Sequence, residues 1–290
     1  MAACSSSSSS VGQVGDDEVI GGKASTHPAV VMFVSAGAAT CSGSLIAPDI
    51  VVTAAHCVTP IRPNSVYIGY SKPSATDAVD ELRAPSGDAG VASPPSGDWE
   101  EIGVAGVIAH PTYDPSAAVT CPVSGVDLAV VRLARASEKG RPIELGSVEP
   151  KVDERCTVFG FGRHSTNLTA PQSQITDWTY GEQRSAEVRV VTVQDGHIEV
   201  AGISGAHSSG DSGGLLLCGG KAAGVTSCSR NIHRKALEDG KYFQSLVGGR
   251  SFVRDAVARL REPPRGSSDP GAGAGDGGDA GPRDAGDGGR

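Results

Sequence analysis

The sequence predicts an all-β fold of the sandwich or barrel type. Between residues 28 and 262 its apolar segments are short, and Gly, Pro, Asp and Ser punctuate them. Glycine, alanine and valine are abundant and aromatics few, and one stretch alone carries helical periodicity. Many short β-branched runs between frequent turn signals are the pattern of stacked or closed antiparallel sheets.

Taken in order, strands are expected at residues 30–34, 44–46, 50–53, 66–68 and 104–108. Five more are expected at 128–133, 157–161, 188–193, 215–217 and 222–226. Aliphatic and β-branched residues predominate in these runs. The helix is expected over 251–261, where Phe252, Val253, Ala256, Val257 and Leu260 fall on one side. Residues 71–98 break the pattern: they are rich in Pro, Ser, Asp, Ala and Gly and read as an extended surface insertion. Asp77, Asp80, Glu81 and Asp88 lie in it, but their spacing matches no calcium loop. A solvated acidic loop is the better reading.

The ends differ from the middle. Residues 5–10 are an unbroken serine run, and 263–290 contain no aromatic or β-branched residue. Neither end offers the burial that would offset the entropy of ordering it, so both are expected to be disordered. The central stretch of about 240 residues has room for one large domain or two compact halves. The net charge is -8, and there is no basic run or basic amphipathic segment. That argues against nucleic acid and against an anionic membrane surface as partners. No stretch is long and apolar enough to span a bilayer.

Three distant stretches carry the chemistry: Thr53-Ala54-Ala55-His56-Cys57, Asp127-Leu128-Ala129-Val130 and Gly210-Asp211-Ser212-Gly213-Gly214. They supply His56, Asp127 and Ser212, the three side chains that turn a neutral hydroxyl into a nucleophile. Ser212 would attack, His56 would take and return the proton, and Asp127 would hold the imidazole in the useful tautomer. The glycines beside Ser212 keep side chains away from its backbone, as an oxyanion hole of N–H groups requires.

With these motifs in this order, and with Leu45-Ile46-Ala47 and His110-Pro111-Thr112-Tyr113-Asp114 in register, the chain resembles the trypsin/chymotrypsin-like serine proteases, of the bacterial secreted type. The resemblance covers about residues 19 to 260. It implies two six-stranded antiparallel β-barrels, a cleft between them and a C-terminal helix. It divides the chain into a signal remnant or propeptide at 1–18, a protease domain at 19–262 carrying the 71–98 insertion, and a tail at 263–290. Its substrate would be a protein or peptide. Neither cofactor nor metal is called for, and a monomer is expected.

The resemblance also implies pairings for the seven cysteines. Cys41 joins Cys57, and Cys156 joins Cys218. Cys121 and Cys228 lie in loops that face each other across the family's cleft. A third bridge is expected there, the alternative being two buried free thiols. Three bridges imply an oxidising compartment, so the protein is read as secreted or extracytoplasmic. Cys4, after Met-Ala-Ala, looks like the end of a lipoprotein signal whose apolar part is missing. It is either a lipid anchor on a surface lipoprotein or a disordered free thiol.

A latent form follows by the same resemblance. Val19-Ile20-Gly21-Gly22 stands where the family is cleaved to free an N-terminal amine, which pairs with the buried Asp211. Cleavage after Glu18, by an activating protease other than trypsin, would then switch the site on. Ser227 falls where the family supports its aspartate, and the N–H groups of Gly210 and Ser212 are the oxyanion donors that the resemblance implies. The substrate pocket maps to Ala206, His207, Ser227 and Cys228. Trypsin-like relatives have an aspartate where Ala206 stands, so cleavage after Arg or Lys is not expected. His207 either favours an acidic P1 residue, the one whose carbonyl is attacked, or points elsewhere and leaves a pocket for apolar side chains.

Two rivals remain. One is a catalytically silent binding protein on the same fold, although no triad residue is missing. The other is an α/β-hydrolase esterase, because Gly210-Asp211-Ser212-Gly213-Gly214 fits G-x-S-x-G. That class needs its histidine after the serine, where His233 is the single candidate, in a polar segment.

Overall fold

The computed structural model describes residues 21–35, 38–59, 63, 65–68, 99–115, 121–162, 182–208, 210–229 and 237–262. Cys4, Val19, His233, the insertion at 71–98 and both expected disordered ends lie outside these residues. One compact unit spans Met1–Leu260; of the second, Arg261–Arg290, the described part is Arg261 and Glu262.

The strands are β1 (Lys23–Ala24), β2 (Val30–Ser35), β3 (Ala38–Ala47), β4 (Ile50–Thr53), β5 (Ser65–Ile68), β6 (Glu100–Ala109) and β7 (Ala129–Leu133). They continue with β8 (Arg155–Gly160), β9 (Arg184–Gln194), β10 (His197–Gly202), β11 (Leu215–Cys218), β12 (Lys221–Ser229) and β13 (Lys241–Ser245). A single 3-10 turn covers Ala55–Cys57, and helix α1 covers Arg250–Arg261. Among the described residues no helix is long and apolar enough to cross a membrane.

The fold is all-β with a C-terminal helix, as the sequence predicts. Strands β2-β3-β4-β7-β6-β5 close into a six-stranded antiparallel barrel. The remaining strands run β1-β9-β10-β13-β12-β11-β8, and β8 also pairs with β9, so this sheet curls back on itself. The sequence reading missed β1, β10 and β13, which lack its long β-branched runs.

Strand alternation sorts the apolar residues into three cores. Val31, Phe33, Val51, Val131 and Leu133 fill the first barrel. Val158, Val188, Val190, Ile198, Leu216 and Phe243 fill the second sheet. The opposite faces of β2, β4 and β7, through Val30, Met32, Ile50, Val52 and Val130, pack against Phe159, Leu215 and Val225. Both faces of these strands are therefore buried, which explains their near-continuous apolar sequence. Val253 and Ala256 of α1 join the third core, with Phe252, Val257 and Leu260 packed against it.

Three disulfides are formed: Cys41–Cys57, Cys121–Cys228 and Cys156–Cys218. The second ties the loop before β7 to strand β12, and so links the two sheets.

Candidate active site

The site assembles on the seam between the two sheets. His56 sits in the 3-10 turn that follows β4, and the Cys41–Cys57 bridge pins that turn to β3. Asp127 sits two residues before β7 and is 0% exposed. Its Oδ2 accepts from His56 Nδ1 at 2.8 Å and its Oδ1 from the His56 backbone N–H at 3.0 Å. One carboxylate thus fixes both the ring and the main chain of the histidine. With Nδ1 turned toward Asp127, the other ring nitrogen is left for chemistry.

Ser227 Oγ donates to Asp127 Oδ2 at 2.6 Å. Ser227 lies at a bulge in β12, where the pairing with β13 shifts between Thr226 and Cys228. Such a bulge re-aims a side chain that regular pleating would direct elsewhere. Burial pushes the Asp127 carboxyl up, but the His56 hydrogen bond and charge, then Ser227 and the His56 N–H, outweigh it and hold it below the usual range. Asp127 therefore stays ionised beside the imidazole.

Ser212 is held by its main chain. Its carbonyl accepts from Ser42 N–H at 2.8 Å and lies 3.4 Å from Cys57 Sγ, next to His56. Gly213, at φ +77°, packs so closely on the histidine segment that a Cβ would lie 2.0 Å from Thr53 Oγ1 and 2.9 Å from Ala54 N. Among the described residues no hydrogen bond yet joins Ser212 Oγ to His56; in free enzymes that bond often tightens only when substrate is bound.

The N–H groups around Ser212 divide into two sets. Asp211 N–H donates to Ser208 O, Gly213 N–H to Thr226 O and Gly214 N–H to Asp211 O. Among the described residues, the N–H groups of Gly210 and Ser212, the two expected oxyanion donors, donate to no backbone carbonyl. Gly210 reaches its position at φ +94°, a conformation that favours glycine.

Asp211 is buried. Its carboxylate accepts from Gly162 N–H at 2.8 Å and Ser208 N–H at 2.7 Å, and a Cβ on Gly160 or Gly162 would strike it. Burial pushes its carboxyl up to about 7 against those two hydrogen bonds.

Ala206 is fully buried. His207 is 3% exposed, and its ring meets Phe243 edge-on at 5.1 Å. Burial, and then the charge of Lys241, pushes it down to about 3. At neutral pH His207 is therefore uncharged. Cys228 is taken up in its bridge to Cys121.

Ser42 and Gln244 were missed by sequence reasoning. Ser42 Oγ donates to Gly210 O at 3.0 Å and accepts from Phe161 N–H at 2.9 Å. Gln244 Oε1 accepts from Asp127 N–H at 3.0 Å, while its Nε2 donates to Gly196 O. Nothing in the local sequence marks either. The metal-like groupings among the described residues are Cys41, His56 and Cys57, and Glu154, Cys156 and Cys218. Their cysteine sulfurs are taken up in disulfides, so neither offers thiolate ligands.

The family model described as Trypsin matches residues 19–239. Chymotrypsin-like elastase family member 3B of Homo sapiens is 32% identical over 209 residues, covering 65% of this chain and 67% of that protein. Proproteinase E of Bos taurus is 29% identical over 188 residues, covering 62% and 66%. The matches thus span about two thirds of these relatives' length. Among solved structures, neuropsin, a serine protease expressed in the limbic system of mouse brain, superposes with TM-score 0.58 at 23% identity, over 80% of this chain and 95% of that one. Human heparin binding protein gives TM-score 0.60 at 19% identity, over 83% and 97%. At those identities the two structures speak for the fold alone.

Proposed function

Because the chain belongs to the trypsin family of serine proteases, we propose that it is a serine endopeptidase acting through Ser212, His56 and Asp127. The observation that carries this reading is the double grip of the buried, ionised Asp127 on His56.

Ser212 Oγ attacks the peptide carbonyl as His56 Nε2 takes its proton. The new C–O bond pushes the carbonyl electrons onto oxygen, toward the N–H groups of Gly210 and Ser212. His56 then gives its proton to the leaving amine, the C–N bond breaks, and an acyl-enzyme remains. Water repeats the sequence and frees the acid. Asp127 stabilises the transient imidazolium and keeps its own charge throughout.

The protein is made latent and switched on by cleavage after Glu18. The new Val19 amine pairs with Asp211 and sets the oxyanion donors. Support comes from Asp211, a buried carboxyl held near 7 that gains from a cationic partner. Cleavage after Arg or Lys is disfavoured because Ala206 brings no negative charge to the pocket. Three disulfides suit an oxidising compartment outside the cytoplasm. A lipid on Cys4 would tether the enzyme there.

The test is peptide hydrolysis by protein beginning at Val19. Ser212→Ala and His56→Ala should each lose several orders of magnitude in kcat. A Ser212→Ala protein as fast as wild type would end this reading.

A further inference from the structure

The pairing of β3 with β4 starts at Ser44 and Val52, so Ser42 lies outside that ladder. Its main-chain groups turn instead to the serine loop and to the end of β4. Ser42 N–H donates to Ser212 O at 2.8 Å, and Ser42 O accepts from Thr53 Oγ1 at 2.8 Å. The side chain, 0% exposed, takes a second hold on the serine loop. Its Oγ donates to Gly210 O at 3.0 Å and accepts from Phe161 N–H at 2.9 Å. An N–H can only donate and a carbonyl can only accept, so the hydroxyl proton is committed to Gly210 O. One residue of β3 thus grips the carbonyls at both ends of Gly210-Asp211-Ser212. The residue after Phe161 holds the middle, since Gly162 N–H donates to Asp211 Oδ1 at 2.8 Å.

We propose that Ser42 is the positioning residue of the oxyanion site: its hydroxyl holds Gly210 so that the N–H groups of Gly210 and Ser212 converge on the developing charge. This role rests on the endopeptidase reading above.

Two amide donors stabilise an oxyanion best when both already point at one place before the charge appears. Gly210 has no side chain to anchor it, and at φ +94° it uses the conformational freedom of glycine. Its restraint must come from other residues. The peptide unit between Gly210 and Asp211 is planar, and both its polar groups are bound: the carbonyl by Ser42 Oγ and the N–H by Ser208 O. That plane lies between the two expected donors. Removing the hydroxyl releases Gly210 O and leaves the buried Phe161 N–H without this acceptor. The negative charge is present in the transition state and absent from bound substrate, so the loss falls on kcat rather than on KM.

The test compares wild type, Ser42→Ala and Ser42→Gly, each beginning at Val19. Rates are expressed per molecule that labels with a fluorophosphonate at saturation, which counts folded, competent protein. One readout is kcat and KM for a single peptide. The other is the carbonyl stretch of the slowly hydrolysed cinnamoyl-enzyme, measured by Raman spectroscopy. Hydrogen bonds to that carbonyl lower its frequency, so the stretch reports the oxyanion donors rather than general stability. Each variant should lose roughly tenfold in kcat with KM changed by less than about twofold. The stretch should move to higher frequency in both. A stretch that stays at the wild-type frequency overturns the proposal whatever becomes of kcat, and so does a loss carried by KM alone. Should one variant fail to fold, the other decides. Failure of both overturns the proposal, because the hydroxyl would then serve the fold rather than the site. All of these results leave the endopeptidase reading standing. Wild type that takes up neither the label nor the acyl group overturns both.

Discussion

Gly213 and Thr53 are in contact that excludes any side chain on the glycine: a Cβ there would lie 2.0 Å from Thr53 Oγ1. Thr53 ends β4, three residues before His56, and Gly213 follows Ser212. This approach is one of the contacts that join the histidine segment to the serine loop, with Cys57 Sγ against Ser212 O. Thr53 is itself fixed, since its Oγ1 donates to Ser42 O at 2.8 Å. Gly213→Ala should lose roughly 3 kcal/mol or more of stability, from the φ of +77° together with the clash. Thermal and denaturant unfolding would measure it. A change within error would mean that the serine loop yields easily.

Ser227 tunes Asp127. Removing its Oγ deletes a hydrogen bond that lowers the Asp127 carboxyl, so Ser227→Ala should raise that group. A carboxyl held low in the fold contributes stability above its unfolded value and loses it as pH falls through its folded value. In Ser227→Ala that loss should begin at higher pH. Stability at neutral pH should drop by roughly 1–3 kcal/mol. An acid unfolding curve unmoved by the substitution would show that Ser227 does not help hold Asp127.

Glu100 offers a second pH test, away from the site. It is buried at the start of β6 and accepts from Ser137 Oγ, Arg135 and the N–H groups of Glu138 and Lys139. Burial raises this carboxyl, but those donors together bring it down to about 2. Its contribution is therefore complete above the unfolded value near 4.5 and fades as pH falls toward 2. Glu100→Gln should lower stability at pH 7 by roughly 2–3 kcal/mol and flatten the acid unfolding curve between those limits. Denaturant melts across that range check it.

Asp211 has the opposite sign. Its folded value is raised to about 7, so the native state holds a proton that the unfolded chain has already lost. Stability of the precursor should therefore decline as pH rises from about 4 to about 7. Asp211→Asn should remove that decline in the precursor. In protein beginning at Val19 the same substitution should abolish activity, because the amine loses its partner. A precursor whose pH dependence is identical with and without Asp211 would contradict this account.

The Cys121–Cys228 bridge closes a separation of 107 residues and ties the loop before Asp127 to the strand carrying Ser227. The double variant Cys121→Ser with Cys228→Ser should lose roughly 2–4 kcal/mol of stability. Its kcat should fall as well, since the two sides of the carboxylate are no longer joined. Unfolding and peptide hydrolysis of the same preparation measure both effects.

Strands with aliphatic faces were legible in the sequence because burial on both sides writes itself as an apolar run, as in Ile50–Thr53, whose expected bounds are those of β4. His56, Asp127 and Ser212 were legible as candidates because three short motifs each hold one of them. β13 was not, because three of its five residues, Lys241, Gln244 and Ser245, are polar yet buried, and polar residues read as surface. The same blind spot hid Gln244 beneath Asp127 and Lys241 beside His207. Ser42 was hidden for another reason: its partners Gly210 and Phe161 are far away in sequence, and only the folded seam brings them to it.

On the proposed reading, Ser212 is an activated nucleophile in a protein switched on at Val19. Fluorophosphonate labelling, mapped to its residue by mass spectrometry, tests it most directly. Protein beginning at Val19 should label at Ser212, the precursor weakly, and Ser212→Ala not at all. Correctly oxidised Val19 protein that takes up no label at Ser212 would contradict the account and leave a binding protein on a protease fold.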